Sequence, residues 1–321
     1  MFRAVAFWLG ALLASGAFAQ SQYPGRPLHL VVGFAPGGAS DIISRAMSDP
    51  LQRSFGQPVI VDNKPGAGSS LAAELVAKSA PDGYTVMIAS PSAVFVNPII
   101  MKNINYVTER DFVPVTLVTT SPLVVAVHPS VPASTLRELI DYAKKNPGKL
   151  NFATSGNGSA PHLGTVLLAS LTGIHMVHVP YKSGGLAVQS VLAGDTQLTI
   201  ATPPSVLPQV KAGRLRGLAM TSAERSPLVP ELPGMKEAGV DGYNYTFWYG
   251  MFAPAGTPRA VINRLFDATV TALRDPKLKQ ILATDGTETA PSKSPEEFGA
   301  WLREEGKLWA RLVKDSGAKV D

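Results

Sequence analysis

Hydrophobic positions along the chain switch repeatedly between a spacing of two and a spacing near 3.6, which predicts short strands alternating with amphipathic helices. His29 to Phe34 is a largely apolar run of strand length. A Pro36-Gly37-Gly38 turn follows, and Ile42, Ile43, Ala46 and Met47 then recur on one helical face. Residues 58–61 give a second short strand before the glycine loop Pro65-Gly66-Ala67-Gly68. Leu71, Ala72, Leu75 and Val76 mark the next helix, which Pro81-Asp82-Gly83 stops ahead of the strand Thr85 to Ala89. Strand, turn and helix in this order are βαβ units, so the pattern predicts an α/β fold with mostly parallel sheets.

The same plan returns about 120 residues later. Leu150 to Ala153 reads as a strand, Thr154 to Ser159 as a turn, and Leu163, Val166, Leu167 and Leu171 as a helix. Val177-His178-Val179 with its loop Pro180 to Gly185 answers residues 59–68, and Gln197 to Ala201 followed by Thr202-Pro203-Pro204-Ser205 answers Thr85 to Ser92. Two similar lobes are the simplest account. Leu123 to Val127 and Tyr249 to Ala253, each followed by a proline-rich turn and a helix, read as crossover strands joining the lobes. Lobe one is then residues 20–118 plus 245–321, and lobe two is 119–244. The last helix is well marked: Ser294-Pro295-Glu296-Glu297 combines a capping residue, a proline at the first turn and a glutamate three positions on. Phe298, Trp301, Leu302, Leu308, Trp309 and Leu312 form its core stripe.

Composition narrows the class. Of 321 residues 45% are hydrophobic and 17% charged, enough for two packed cores and too apolar for a disordered tail. Residues 1–19 carry Arg3, an apolar stretch from Ala4 to Ala14 and the pattern Ala17-Phe18-Ala19, a secretory signal peptide with cleavage expected after Ala19. No later segment gives the roughly 20 apolar residues of a membrane helix. The absence of cysteine leaves no disulfide and no thiol for lipid attachment, so the mature chain is expected in a periplasm. The net charge of +5 is spread out, with no basic run, which argues against a nucleic-acid partner.

The two glycine turns offer binding chemistry. Beyond the carboxyl ends of parallel strands, glycine lets a backbone approach a ligand, and free N–H groups at a helix start favour an anion. Gly37-Gly38 and Gly156-Asn157-Gly158 hold that place, with Ser40, Ser155 and Ser159 as hydroxyl donors. Each turn alone also reads as a plain tight turn with a capping serine; the duplication favours a site. Enzyme chemistry is poorly supported. Ser159 and His162 lie three apart without a Gly-x-Ser-x-Gly elbow. His175 and His178 point to opposite faces of a strand, and neither a metal nor a nucleotide cofactor is indicated.

Several motifs in fixed order carry a resemblance. They are Tyr23-Pro24, Phe34-Ala35-Pro36-Gly37-Gly38 with Asp41, Asn63 to Gly68, Pro81-Asp82-Gly83-Tyr84-Thr85, Val179-Pro180-Tyr181-Lys182, and Trp248-Tyr249-Gly250 with Phe252 to Pro258. From residue 23 onward the chain resembles the Bug family, the TctC-like extracytoplasmic solute receptors of tripartite tricarboxylate transporters. The resemblance implies a type II periplasmic binding protein fold, two lobes closing on a small organic acid that is handed to membrane transporter subunits, and a monomer with no cofactor. It implies one carboxylate grip, often with ordered water, at Phe34, Ala35, Gly37, Gly38, Ser40 and Asp41. The second grip falls at Ser155, Gly158, Ser159, His162 and the loop Tyr181, Lys182, Ser183, Gly184. Gln197 stands where the family commonly has an acid. A ligand sensor docking on a receptor kinase and an exported serine hydrolase using Ser159 and His162 are the other readings.

Overall fold

The computed structural model describes residues 23–317 apart from 35, 38, 182, 183 and 285; the proposed leader lies outside the described residues. In chain order the elements are β1 (Leu28–Val32), α1 (Ala39–Phe55), β2 (Val59–Asn63), α2 (Ser70–Ala77), β3 (Thr85–Ala89), α3 (Asn97–Ile100), α4 (Thr108–Asp111), β4 (Phe112–Pro122), β5 (Val124–Val127), α5 (Leu136–Lys145), β6 (Asn151–Thr154) and α6 (Ala160–Thr172). There follow β7 (Val177–Pro180), α7 (Gly184–Ala193), β8 (Leu198–Ala201), α8 (Pro203–Lys211), β9 (Arg216–Met220), β10 (Thr246–Pro254), α9 (Arg259–Leu273), α10 (Pro276–Thr284), β11 (Glu288–Thr289) and α11 (Pro295–Ser316).

Two sheets result. The first has the order β11-β4-β10-β3-β1-β2 and the second β7-β6-β8-β5-β9. Parallel pairing holds within each βαβ core, where β1 pairs with β2 and β3, and β6 with β7 and β8. The remaining pairings are antiparallel, so each sheet is mixed, which corrects the expectation of mostly parallel sheets. A parallel pair needs a crossover helix. β5 instead comes straight from β4 and runs against β8 and β9, while β10 returns from the second sheet and runs against β3 and β4.

The closing helix behaves as its sequence predicts. Ser294 caps it, accepting from the Glu297 backbone N–H at 3.1 Å. Phe298, Trp309 and Leu312 are buried, while Trp301, Leu302 and Leu308 are partly buried against the same core. The fully buried Trp248 of β10 meets Phe95, Phe298 and Trp301 edge to face, and burying each such side chain contributes about 1.5–3 kcal/mol. Glu305 accepts from the indole N–H groups of Trp248 (3.2 Å) and Trp309 (2.9 Å), and its burial raises its pKa. α11 packs on both β4 and α6, so its aromatic face spans the two sheets.

Candidate functional site

In the second lobe β6 ends at Thr154, and the chain turns through Gly156 (φ 114°) and Gly158 (φ 70°), backbone angles that suit glycine and strain other residues. Ser159 caps α6: its hydroxyl accepts from the His162 N–H at 3.4 Å and donates to the Gly156 carbonyl at 2.7 Å. His162 closes the turn from inside, its Nδ1 accepting from the Gly158 N–H at 3.1 Å. Its ring stacks on His178 with centroids 3.9 Å apart, and His178 in turn stacks on Phe152 and bonds Thr154 Oγ1 at 2.6 Å.

The first lobe repeats this device with a different side chain. The Gly37 N–H donates to Asp41 Oδ2 at 2.9 Å, four residues on, as Gly158 does to His162. Asp41 also accepts from Arg45 Nε at 2.9 Å and Asn63 Nδ2 at 2.9 Å, and Asn63 Nδ2 donates to the Phe34 carbonyl as well. The Arg45 hydrogen bond, reinforced by the Gly37 N–H and Asn63, holds the Asp41 pKa down at about 2. Beside this turn the 66–69 loop passes through Ala67 (φ 46°), Gly68 (φ 60°) and Ser69 (φ 82°). Left-handed angles at two non-glycine residues cost of order 1–3 kcal/mol each. Asn97 Nδ2 holds the loop, donating to the carbonyls of Ala67 and Gly68 and to Ser70 Oγ.

Between the sheets lies a cleft of about 710 Å³. Three helix N-termini of the second lobe open onto it: α6 through Ser159 and Ala160, α7 through Gly184 and Gly185, and α8 through Thr202 and Ser205. Helix starts carry free N–H groups and partial positive charge. Among the described residues that line the cleft no side chain is charged. Nor do the described residues place three His, Cys, Asp or Glu side chains to hold a metal.

Of the residues expected at the site, Phe34, Ser155, Gly158, Ser159 and Gly184 line this cleft. Gly37, Ser40, Asp41, His162 and Tyr181 are not among its lining residues. Asp41 and His162 are buried and spend their acceptors on the turn glycines, so the Gly37 and Gly158 N–H groups offered to a ligand by the sequence are already bonded. Ser40 is buried with its hydroxyl unpartnered, and Tyr181 continues β7 by donating its N–H to the Thr154 carbonyl. Ala35, Gly38, Lys182 and Ser183 lie outside the described residues. Gln197 does structural work away from the cleft, its Oε1 accepting from the Asn151 N–H and its Nε2 reaching the Gly194 carbonyl. The lining residues missed in the sequence include Ser92, Thr202 and Ser205, although the likeness of Thr85–Ser92 to Gln197–Ser205 marked both turns.

Burial, with the adjacent His178 ring adding to it, pulls the His162 pKa from 6.5 to about 4. The unfolded chain therefore takes up this proton first as the medium is acidified. The contribution is complete above pH 6.5 and is lost as the pH falls towards 4, about 3 kcal/mol in all. Denaturant midpoints at pH 7 and pH 4 should show the native chain losing about that much more stability than a folded His162→Gln variant.

Two α/β lobes with mixed sheets around a cleft fed by helix starts define a solute-binding protein of the type II periplasmic class. Residues 43–318 match the profile described as the tripartite tricarboxylate transporter family receptor, and the chain belongs to that family. It is 35% identical over 317 residues to protein BugT of Bordetella pertussis, covering 97% of each chain. Among solved structures it is similar to the R. palustris protein Rpa4515 with adipate, at 32% identity and a TM-score of 0.78, covering 93% of this chain and all of that one. The periplasmic binding protein BugD matches at 32% identity and a TM-score of 0.74, over 92% of this chain and 99% of that one.

Proposed function

We propose that the chain is exported, with its leader cut after Ala19, and works as a monomer that captures a small carboxylate and delivers it to the membrane subunits of a tripartite tricarboxylate transporter. The observation that carries this reading is the convergence of α6, α7 and α8 N-termini on one cleft, an arrangement that favours an anion without a cationic side chain. The contacts we assign on the second lobe are Ser155, Gly158, Ser159, Gly184, Thr202 and Ser205. On the first lobe the contact is Phe34, with Ala35 and Gly38 assigned by their place in the chain. Lys182 and Ser183, which precede α7 in the chain, are assigned with the second-lobe contacts from the sequence alone. We take the lobes as residues 20–122 with 245–321, and 123–244; the expected break at 118 moves to the end of β4, which pairs with β10 and β11 of the first sheet up to Pro122.

Hydrolysis is disfavoured by local bonding: the Ser159 hydroxyl donates to the Gly156 carbonyl, and His162 Nδ1 is filled by the Gly158 N–H. Among the described residues no helix is long and apolar enough to cross a membrane. The test is a thermal-shift panel of mono-, di- and tricarboxylates against sugars and amines. An acid at a hundred times its dissociation constant should stabilise the chain by about 2.7 kcal/mol. Stabilisation by sugars or amines and by no acid would reject the ligand class.

A further inference from the structure

The two faces of the cleft differ in chemistry. The second-lobe face carries three helix starts, hydroxyls and Asn157, with Leu123, Pro161 and Ala201 among its apolar side chains. The first-lobe face is rich in hydrocarbon: Phe34, Val96, Ile100, Met101, Phe247 and the ring of Tyr249. Phe34, Ile100, Met101 and Phe247 are only partly buried, so they present apolar surface to whatever enters. The polar groups on that face are few. Asn97 is committed to its own loop through Nδ2, which leaves the Ser92 and Tyr249 hydroxyls as the other polar side chains there among the described residues.

From this asymmetry we infer that the ligand is a carboxylic acid with a hydrocarbon body, alicyclic, aromatic or plain aliphatic, rather than a polyhydroxylated acid. The inference rests on the carboxylate reading given above and adds to it what the rest of the ligand must be. The carboxylate faces the α6, α7 and α8 starts. The body lies against Phe34, Ile100, Met101 and Phe247, where its burial removes apolar surface from water on both sides. A hydroxyl set against that wall gives up its water without gaining a partner, which weakens binding.

Matched pairs isolate the effect. Cyclohexanecarboxylate and quinate share a ring and a carboxylate and differ in four hydroxyls; adipate and galactarate are six-carbon diacids that differ in the same number. Titration calorimetry on the mature chain should find the hydrocarbon member of each pair bound at least about tenfold tighter. Equal or tighter binding of quinate and galactarate overturns the inference and leaves the carboxylate reading standing; binding of none of the four acids overturns the inference too, and the carboxylate reading falls with it only if the wider panel of acids also fails against sugars or amines. Phe247→Ser, with its fold checked by circular dichroism, should narrow the ratio within each pair several-fold. An unchanged ratio in that folded variant also overturns the inference, because the wall would not be what discriminates.

Discussion

Replacing Gly33 by alanine is expected to destabilise the chain by about 3 kcal/mol and to weaken ligand binding at least about tenfold. Gly33 follows β1 directly beneath the 66–69 loop. A methyl there would sit 1.7 Å from Ser69 Oγ, 2.4 Å from its Cβ and 2.8 Å from its Cα. Rotating the hydroxyl away does not relieve the last contact, so the loop backbone must move, which places the cost at the upper end of overpacking penalties of about 1–3 kcal/mol. Ala67 and Gly68 of this loop line the cleft, and displacement reaches the ligand through them. The expected fall in melting temperature is at least about 5 °C, read by calorimetry, with affinity read by titration. The double variant Gly33→Ala/Ser69→Gly removes two of the three clashes and a left-handed serine at φ 82°. It should recover part of both losses, a non-additivity expected only of residues in contact. A melting temperature unchanged in the single variant would refute the packing seen here.

Asp41→Ala is expected to cost a similar amount, about 3 kcal/mol, because it strips a buried carboxylate from three donors at once. The side chain of Asp41 is 4% exposed, while that of its partner Arg45 is 54% exposed. Arg45 can return to water, which keeps the cost at the low end of the range for a broken buried pair. The Gly37 N–H and one Asn63 contact lose their acceptor, and the Phe34 turn loses its tie to α1. The pH dependence carries the sign of a depressed acid. With a folded pKa of about 2 against 3.8 unfolded, the stabilisation is complete above pH 3.8 and fades as the pH falls to about 2. The gap between native and variant chains in urea should stay constant from pH 7 to about 5 and shrink below pH 4.

Element positions were legible because local pattern sets them. Thr85–Ala89 is the strand the sequence indicates, and the Ser294 cap forms as its neighbours require. Strand direction was not legible, since a spacing of two is the same for parallel and antiparallel neighbours; β5 and β10 become antiparallel through where they enter the sheets. The glycine turns were found as places, but the bonds that Asp41 and His162 make back to Gly37 and Gly158 were not. Nothing in Gly37 to Asp41 or Gly158 to His162 tells whether the side chain four residues on faces a ligand or folds back to cap the glycine. The apolar wall was missed for a different reason. Phe34, Ile100 and Phe247 are far apart in the chain and come to line one cleft only in the folded sheet, where β3 lies between β1 and β10.

The position of β10 bears on how the chain is made. In the first sheet β10 lies between β3 and β4, with Met251 opposite Ile88 and Phe252 opposite Met87. During synthesis, everything from β5 to β9 is complete once Met220 has emerged, so the second sheet has all its strands while the first still lacks a middle one. Until residues 246–254 arrive, β3 and β4 are two unjoined edges carrying apolar side chains, the state most prone to pair with another chain. The lobe begun first is thus the one finished last, and any holdase that guards this polypeptide in transit has the β3 edge to cover.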